Sequence, residues 1–371
     1  MSLSFSPQQS AAHDTVAAWL KFEANKKQIF RLFGYAGTGK TTLARHLADG
    51  LDGPVVYAAF TGKAALMMQK NGCQGASTIH RLIYKPVRDK EGRVTFKLNR
   101  HSAAAAAALI VVDECSMVDK TLARDLMSFK TPILALGDPA QLPPVKGAGF
   151  FTEATPDAML TEVHRQAQDS PVLRLATAVR EGRPLEYGVY GDSKVVPDGT
   201  LDTAEILKAD QLIVGRNTTR HHLNSYVRHC LGYEAEKPVS GDRLVCLKND
   251  YELDVFNGGM FEVVSDPKLG KYTKQYGMKV ISEDYPDEPA FRISVKPEFF
   301  KAGEPRLSKK DLAKIHQFTF GYALTAHKAQ GSQWNNVVVD NESWVGGNDP
   351  QKWLYTAITR ARERVTVVGV Q

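Results

Sequence analysis

Short apolar runs alternate with amphipathic stretches along the first part of the chain, and that alternation sets the fold class. Ile29–Phe33, Pro54–Phe60, Leu109–Val112 and Ile133–Leu136 are apolar almost without interruption, as strands covered on both faces must be. Helical patterns separate them. One runs from Gln8 to Phe22, with Ser6 as cap and Pro7 in the first turn, and another from Thr41 to about Asp49. The alanine run Ala103–Ala108 reads as a helix leading into the Leu109 strand, because alanine is the strongest helix former. Strands alternating with helices predict a parallel α/β sheet. A second α/β pattern begins at Gln211–Gly215 and resumes at Val337–Val339 and Val365–Val368.

Two segments break this rhythm. From Phe261 to about His316 the chain is rich in Lys, Gly and Pro, and Phe291–Val295 alternates polar with apolar residues, which reads as a small β insert. Within the first pattern, Val94, Phe96 and Leu98 alternate with polar residues after the turn signal Asp89-Lys90-Glu91-Gly92, so 84–100 reads as a β-hairpin. The expected division is a first α/β domain over 1–170, a second over 171–257 with 317–371, and a β domain over 258–316 inserted into the second.

Composition narrows the class only a little. The 371 residues are 43% hydrophobic, enough for large cores in two or three domains. A formal net charge of +6 suits a polyanion partner without identifying one. The four cysteines, Cys73, Cys115, Cys230 and Cys246, form no CxxC pair and no zinc spacing, and read as reduced thiols of an intracellular protein. No stretch reaches the roughly 18 apolar residues that would cross a bilayer, so no membrane association is expected and the chain should be soluble and cytoplasmic.

The chemistry begins at Gly34-Tyr-Ala-Gly37-Thr38-Gly39-Lys40-Thr41, a complete Walker A loop that follows a predicted strand and opens a predicted helix. Its glycines let backbone N–H groups close around phosphates, with Gly37, Thr38, Gly39 and Thr42 lining the nucleotide. Lys40 reaches the β/γ-phosphates, and Thr41 offers its hydroxyl to Mg²⁺. Val111-Val112-Asp113-Glu114 closes the third strand with two carboxylates. Asp113 is positioned as a Mg²⁺ partner and Glu114 as the group that orients and deprotonates the attacking water. These parts define a P-loop nucleotidase that uses ATP and Mg²⁺. Kinases, GTPases, transporters and motors all share them.

The rest of the series discriminates. Gly137-Asp138-Pro139-Ala-Gln141-Leu142-Pro143-Pro144 is followed by Leu160–Gln166, then Tyr322–Gly331, then Tyr355–Glu363. The ordered set resembles the superfamily 1B helicases of the RecD/Dda type, and the resemblance spans Phe5 to Gly369. Phe5–Ala12 resembles that group's adenine-recognising Q motif, Ala58–Ala65 and Ala76–Arg81 its DNA-contacting segments, and Gly241–Gly258 the entry to an inserted barrel. The chain begins almost at the Q motif, without an extension like that of the RecD subunit, and so looks closer to the compact Dda type.

The resemblance implies two RecA-like domains with ATP in the cleft between them, single-stranded DNA running across both, and 5′→3′ movement. It further implies work at single-strand/duplex junctions, function as a monomer and a single-strand-binding protein as partner. By the same resemblance Gln9 hydrogen-bonds adenine, although a glutamine there also serves as a helix cap. Gln141 senses the γ-phosphate. Arg165 and Arg360 are the candidate arginine fingers, with a surface salt bridge as the plainer reading of either. Thr61, Lys63, Thr78, His80, Asn217, Thr325, His327 and Lys328 are candidate DNA contacts, short hydroxyls and cations suited to a phosphate backbone. Phe96 is the candidate ring of a strand-separating pin, ahead of Tyr84. Trp334 reads equally as a base-stacking ring and as core. His327 has no second ligand nearby and is not read as a metal ligand.

Three readings remain: a DNA helicase, an RNA-directed remodeller of the same superfamily, and a single-strand-binding subunit with a degenerate ATPase. The intact set Lys40, Thr41, Asp113, Glu114, Gln141 and Arg360 weakens the third.

Overall fold

The computed structural model describes residues 5–88, 94–143, 149–163, 169–250, 253, 255–303, 307–308, 312, 315–347 and 349–369. The chain divides after Asp169 into two compact units, each with its own parallel sheet.

In the first unit six parallel strands lie in the order Ser77–Thr78, Val55–Ala59, Leu109–Asp113, Ile133–Gly137, Ile29–Gly34, Ala158–Leu160. The four strands expected from the apolar runs form its centre, and the two short outer strands carried too little pattern to be read. Ile133–Gly137 is buried at every position because helices cover both faces of the sheet. The first helix, Pro7–Phe22, starts at a capping box in which Ser6 and Gln9 satisfy each other's backbone N–H. It packs Ala12, Val16 and Trp19 into the core beside Phe30 and Leu43, and each such large apolar side chain contributes about 1.5–3 kcal/mol. The alanine run is helical only over Ala103–Ala106; Ala107 turns to an extended conformation and feeds the Leu109 strand.

The second unit holds a sheet ordered Ala323–Thr325, Gln211–Val214, Trp334–Asp340, Ala361–Val368, Ser193–Val196, Gly188–Tyr190, parallel except at the last pair. Beside it stands an antiparallel sheet with its own aromatic-rich core. The insert expected over 258–316 is wider than its composition suggested. Its sheet also takes in Arg243–Cys246 and Phe318–Phe320, which pair with each other at one end of the small sheet.

The expected hairpin is present: Tyr84–Arg88 pairs antiparallel with Val94–Leu98, and Pro86 faces Phe96. Its turn, 89–93, lies outside the described residues. At the base, Tyr84 and Leu98 are half-buried against the first core, and the Tyr84 hydroxyl donates to Asp125 at 2.5 Å. Further out Phe96 is 44% exposed. No helix among the described residues is long and apolar enough to cross a membrane.

Candidate nucleotide site and nucleic-acid interface

Strand order brings the nucleotide-site residues together. Ile29–Gly34, Ile133–Gly137 and Leu109–Asp113 are neighbours in one parallel sheet, so the loops leaving their C-terminal ends converge on the same edge. That edge is where open α/β sheets bind ligands. The loop after the first strand is the Walker A loop, the loop after the second carries Gln141, and the third ends in Asp113 and Glu114.

The Walker A loop requires its glycines for different reasons. Gly34 is closed in, since a Cβ there would lie 2.7 Å from Thr38 Oγ1 and 2.8 Å from Leu160 Cβ. Gly37 and Gly39 are left-handed, with φ of 76° and 79°, which side chains resist. Gly39 caps the helix Lys40–Asp49, so the loop's N–H groups and the helix N-terminus face the same space. Thr38 is fully buried and donates its hydroxyl to Tyr35 O at 2.8 Å. Lys40 Nζ bends back to Gly34 O at 2.7 Å and Tyr35 O at 3.0 Å. Thr42 is half-buried one residue along the same helix.

Thr41 Oγ1 donates to Asp113 Oδ2 at 2.8 Å, and Asp113 Oδ1 accepts the Glu114 N–H at 2.8 Å. A hydroxyl and a carboxylate so close are hard oxygen donors of the kind Mg²⁺ takes together with phosphate and water. No cluster of three His, Cys, Asp or Glu side chains that could hold a metal ion occurs among the described residues. Glu114 itself sits in the left-handed region at φ 50°. Such backbone strain in a non-glycine residue costs roughly 1–3 kcal/mol and aims the side chain where a relaxed chain would not.

Gln9 is 6% exposed and already engaged at both ends. Its Oε1 accepts Ser6 N at 3.0 Å and its Nε2 donates to Thr38 O at 3.0 Å. The expected adenine reader therefore clasps the Walker loop, and reading a base would require exchanging these bonds. Gln141 is buried, and its Oε1 meets no hydrogen-bond partner among the described residues. Buried amide oxygens are rarely left so, and this one is free to accept from an incoming group.

In the second unit Arg360 is only 3% exposed, not the surface salt bridge that is the plainer reading of an arginine. Its guanidinium donates to Thr356 O, Ser332 O and Thr359 Oγ1, and no carboxylate faces it among the described residues. A buried cation without a counter-ion is costly, and an anion relieves the cost. Arg165 lies outside the described residues.

The candidate DNA contacts sit at loop-to-helix junctions. Thr61 caps the helix Gly62–Lys70 and Thr78 the helix Ile79–Ile83, each accepting a backbone N–H at 3.1 Å. Lys63, Thr78 and Thr325 are largely buried, whereas Asn217 is exposed and Lys328 half-buried. Burial lowers the pKa of His80 and of His327 below the ordinary histidine value, which favours neutral rings. Trp334 is 7% exposed and belongs to the core.

Two arrangements escaped the motif reading. Glu342 accepts from Gly215 N, Arg216 N, Arg216 Nε and Thr219 Oγ1, and so fixes the start of the helix Asn217–Cys230. Arg228 and Asp242, both fully buried, form an ion pair at 2.8 Å, and Tyr322 donates to Asp242 at 3.0 Å. In the sequence Glu342 stands between Asn341 and Ser343 and Asp242 between Gly241 and Arg243, polar surroundings that give no sign of burial.

Residues 5–200 match the AAA domain family, over half the chain, and residues 320–368 match the UvrD-like helicase C-terminal domain. The ATP-dependent RecD2 DNA helicase of Deinococcus radiodurans is 30% identical over 374 residues, covering 91% of this chain and 46% of that protein. The chain belongs to the superfamily 1B helicases of the RecD/Dda type. Named relatives are ATP-dependent DNA helicases, and the chain spans about half the length of its Deinococcus relative. The ATP-dependent DNA helicase dda of Enterobacteria phage T4 is 28% identical over 430 residues, covering 94% of this chain and 96% of that protein. Bacteroides Pif1 bound to ssDNA shares the fold, with a TM-score of 0.59 at 17% identity over 98% of this chain and 92% of that one. The Pif1 helicase of Candida albicans does likewise, with a TM-score of 0.56 at 17% identity over 100% and 95%.

Proposed function

We propose that this helicase is an ATP-driven, single-stranded DNA translocase that unwinds duplexes at junctions with 5′→3′ polarity. The observation that carries the reading is the 2.8 Å contact of Thr41 with Asp113 below a glycine-shaped Walker loop, with Gln141 and Glu114 on neighbouring strand ends. This is a built nucleotide site rather than a degenerate one. The Deinococcus and phage relatives, both ATP-dependent DNA helicases, support the polymer assignment.

In this reading Lys40 leaves the Gly34 and Tyr35 carbonyls for the β/γ-phosphates, a direct exchange of acceptors. Thr41 and Asp113 would hold Mg²⁺, which would supply charge neutralisation at the phosphates. Glu114 orients the attacking water and takes its proton, and Gln141 meets the γ-phosphate. Arg360, a buried cation with no counter-ion among the described residues, stabilises charge in the transition state, an effect worth roughly 10³–10⁵ in rate; Arg165 is the second candidate by motif. Thr61, Lys63, Thr78, His80, Asn217, Thr325, His327 and Lys328 form the proposed backbone-binding track, with Phe96 at the point of strand separation. The 1–170, 171–257/317–371 and 258–316 division, widened at the insert, is the proposed domain plan, and a monomer is the proposed working unit.

ATPase rate measured without polymer, with single-stranded DNA and with RNA tests the reading. Strong stimulation by DNA is expected. Equal rates in all three would reject a motor, and stimulation by RNA alone would favour the remodeller. Polarity is tested on duplexes with a single tail: unwinding of a 3′-tailed substrate alone would overturn the 5′→3′ assignment.

A further inference from the structure

In the second unit an exposed tryptophan stands beside the candidate DNA contacts. Val214 pairs with Thr325 and Ile213 with Val339 in neighbouring parallel strands, so the chain leaves all three strands on the same edge. There Gln211–Val214 leads through Gly215 and Arg216 to Asn217, and Trp334–Asp340 leads to the turn Ser343–Gly346. Trp344 lies in that turn and is 59% exposed, whereas tryptophan is on average a well-buried residue.

The turn is held firmly. Glu342, itself buried, accepts from Gly215 N, Arg216 N, Arg216 Nε and Thr219 Oγ1. A Cβ on Gly215 would lie 2.4 Å from Val345 Cγ2 and 2.7 Å from Glu342 Cβ, so the strand end and the turn are in contact. The Arg216 guanidinium, bound to Glu342, lies 4.7 Å from the centroid of the Trp344 ring. Arg216 is thus spent on the carboxylate and the ring, and it fixes the indole in one orientation.

The groove beside the ring adds a second observation. It holds about 550 Å³, within the usual range for a small-molecule pocket, and Trp344 lines it together with Pro184, Leu185, Asn341, Ser343 and Pro350. Arg216 is not among its described lining residues, so the indole offers the groove a surface that the guanidinium leaves open. No carboxylate is among them either, so none of these residues repels a phosphate chain.

We propose that the Trp344 indole stacks on a base of the single strand, extending the track on the second unit beyond Thr325 and Asn217. This rests on the DNA-translocase reading and adds a base contact to a track otherwise built for the backbone. Every base has a π face, so stacking works at any sequence, as a motor moving along a strand requires. Continuity with Asn217 favours nucleic acid over a protein partner.

The four tryptophans make the test direct. Trp19, Trp334 and Trp353 are 2%, 7% and 1% exposed, so a base arriving from solvent meets Trp344. The full chain is titrated with oligo-dT, following intrinsic fluorescence together with the anisotropy of a labelled strand. Binding should quench the parent, and Trp344→Phe should bind with most of that quenching gone. Trp344→Ala should weaken binding by about tenfold, the effect of one lost base stack. An oligomer of equal length with abasic sugars should bind the parent without the quenching. The inference is overturned if Trp344→Ala binds as the parent does, if the quenching survives Trp344→Phe, or if the abasic strand quenches equally. Salt-dependent binding with no quenching overturns this inference alone. Failure of the parent to bind oligo-dT at all overturns the DNA reading with it.

Discussion

Thr41 Oγ1 lies 2.8 Å from Asp113 Oδ2, across 72 residues of chain, and this contact joins the Walker loop's helix to the strand that ends in the carboxylate pair. With Lys40 folded onto its own loop carbonyls, the nucleotide site is held in shape by protein groups that ATP and Mg²⁺ would displace. Lys40→Ala should abolish ATP turnover while leaving single-stranded DNA binding within about twofold of the parent. Filter binding and a phosphate-release assay check this. Full DNA-dependent hydrolysis in the variant would reject the site assignment.

Gly39 carries a φ of 79°, and a Cβ there would lie 2.7 Å from Gln9 Nε2. Gly39→Ala should lower stability by about 1–2 kcal/mol from backbone conformation alone. It should also weaken nucleotide binding more than Gln9→Ala does, because it distorts the loop as well as the clasp. Urea unfolding and titration with a fluorescent ATP analogue read the two effects separately.

The pin argument is one of magnitude. Opening a base-pair step costs about 1.4 kcal/mol of stacking, and an aromatic ring can return about 1–3 kcal/mol. Phe96 is 44% exposed and sits on a hairpin rooted by the Tyr84–Asp125 bond, whereas Tyr84 is committed to that root. Phe96→Ala should therefore reduce duplex unwinding severalfold with DNA-stimulated ATPase nearly unchanged. A parallel fall in both would mark the hairpin as a folding element instead.

Arg228 and Asp242 are both fully buried, and the arginine lies 3.8 Å from the Phe320 ring centroid. Asp242→Ala leaves an uncompensated buried guanidinium and should destabilise the second unit by about 3–5 kcal/mol. The double variant Arg228→Met/Asp242→Leu should recover much of that loss. Chemical denaturation of the set measures it, and an Asp242→Ala loss below about 1 kcal/mol would contradict the burial argument.

Burial depresses the pKa of both His80 and His327. The unfolded chain then binds protons more readily than the folded one once pH falls below the ordinary histidine value near 6.5. Their contribution to stability is complete above that value and is lost as pH falls through the lower folded pKa. The urea midpoint should drop between about pH 7 and pH 5, and His80→Gln with His327→Gln should flatten the drop. An unchanged slope in the double variant would show that other groups control it.

Continuous features were legible in the sequence. The Walker loop, its strand and its helix are contiguous, so glycine spacing and apolar periodicity specify them locally. The order of the later motifs was enough for the helicase resemblance. The hairpin, too, is a local object, a turn signal flanked by alternating residues. What tertiary structure decided was partnership. Ile133–Gly137 lies between Leu109–Asp113 and Ile29–Gly34, which turns three separate loops into one site edge. Arg243–Cys246 joins Phe318–Phe320 to widen the insert at both ends. Gln9 holds Thr38, Arg360 is buried with no carboxylate beside it among the described residues, and Ser77–Thr78 pairs only with Ala58 and Ala59. Periodicity reports which face of a segment is apolar, a property of neighbouring residues. Which segments pair, and which polar groups are left without a partner, depends on contacts between residues tens of positions apart, and these form only when the sheets assemble.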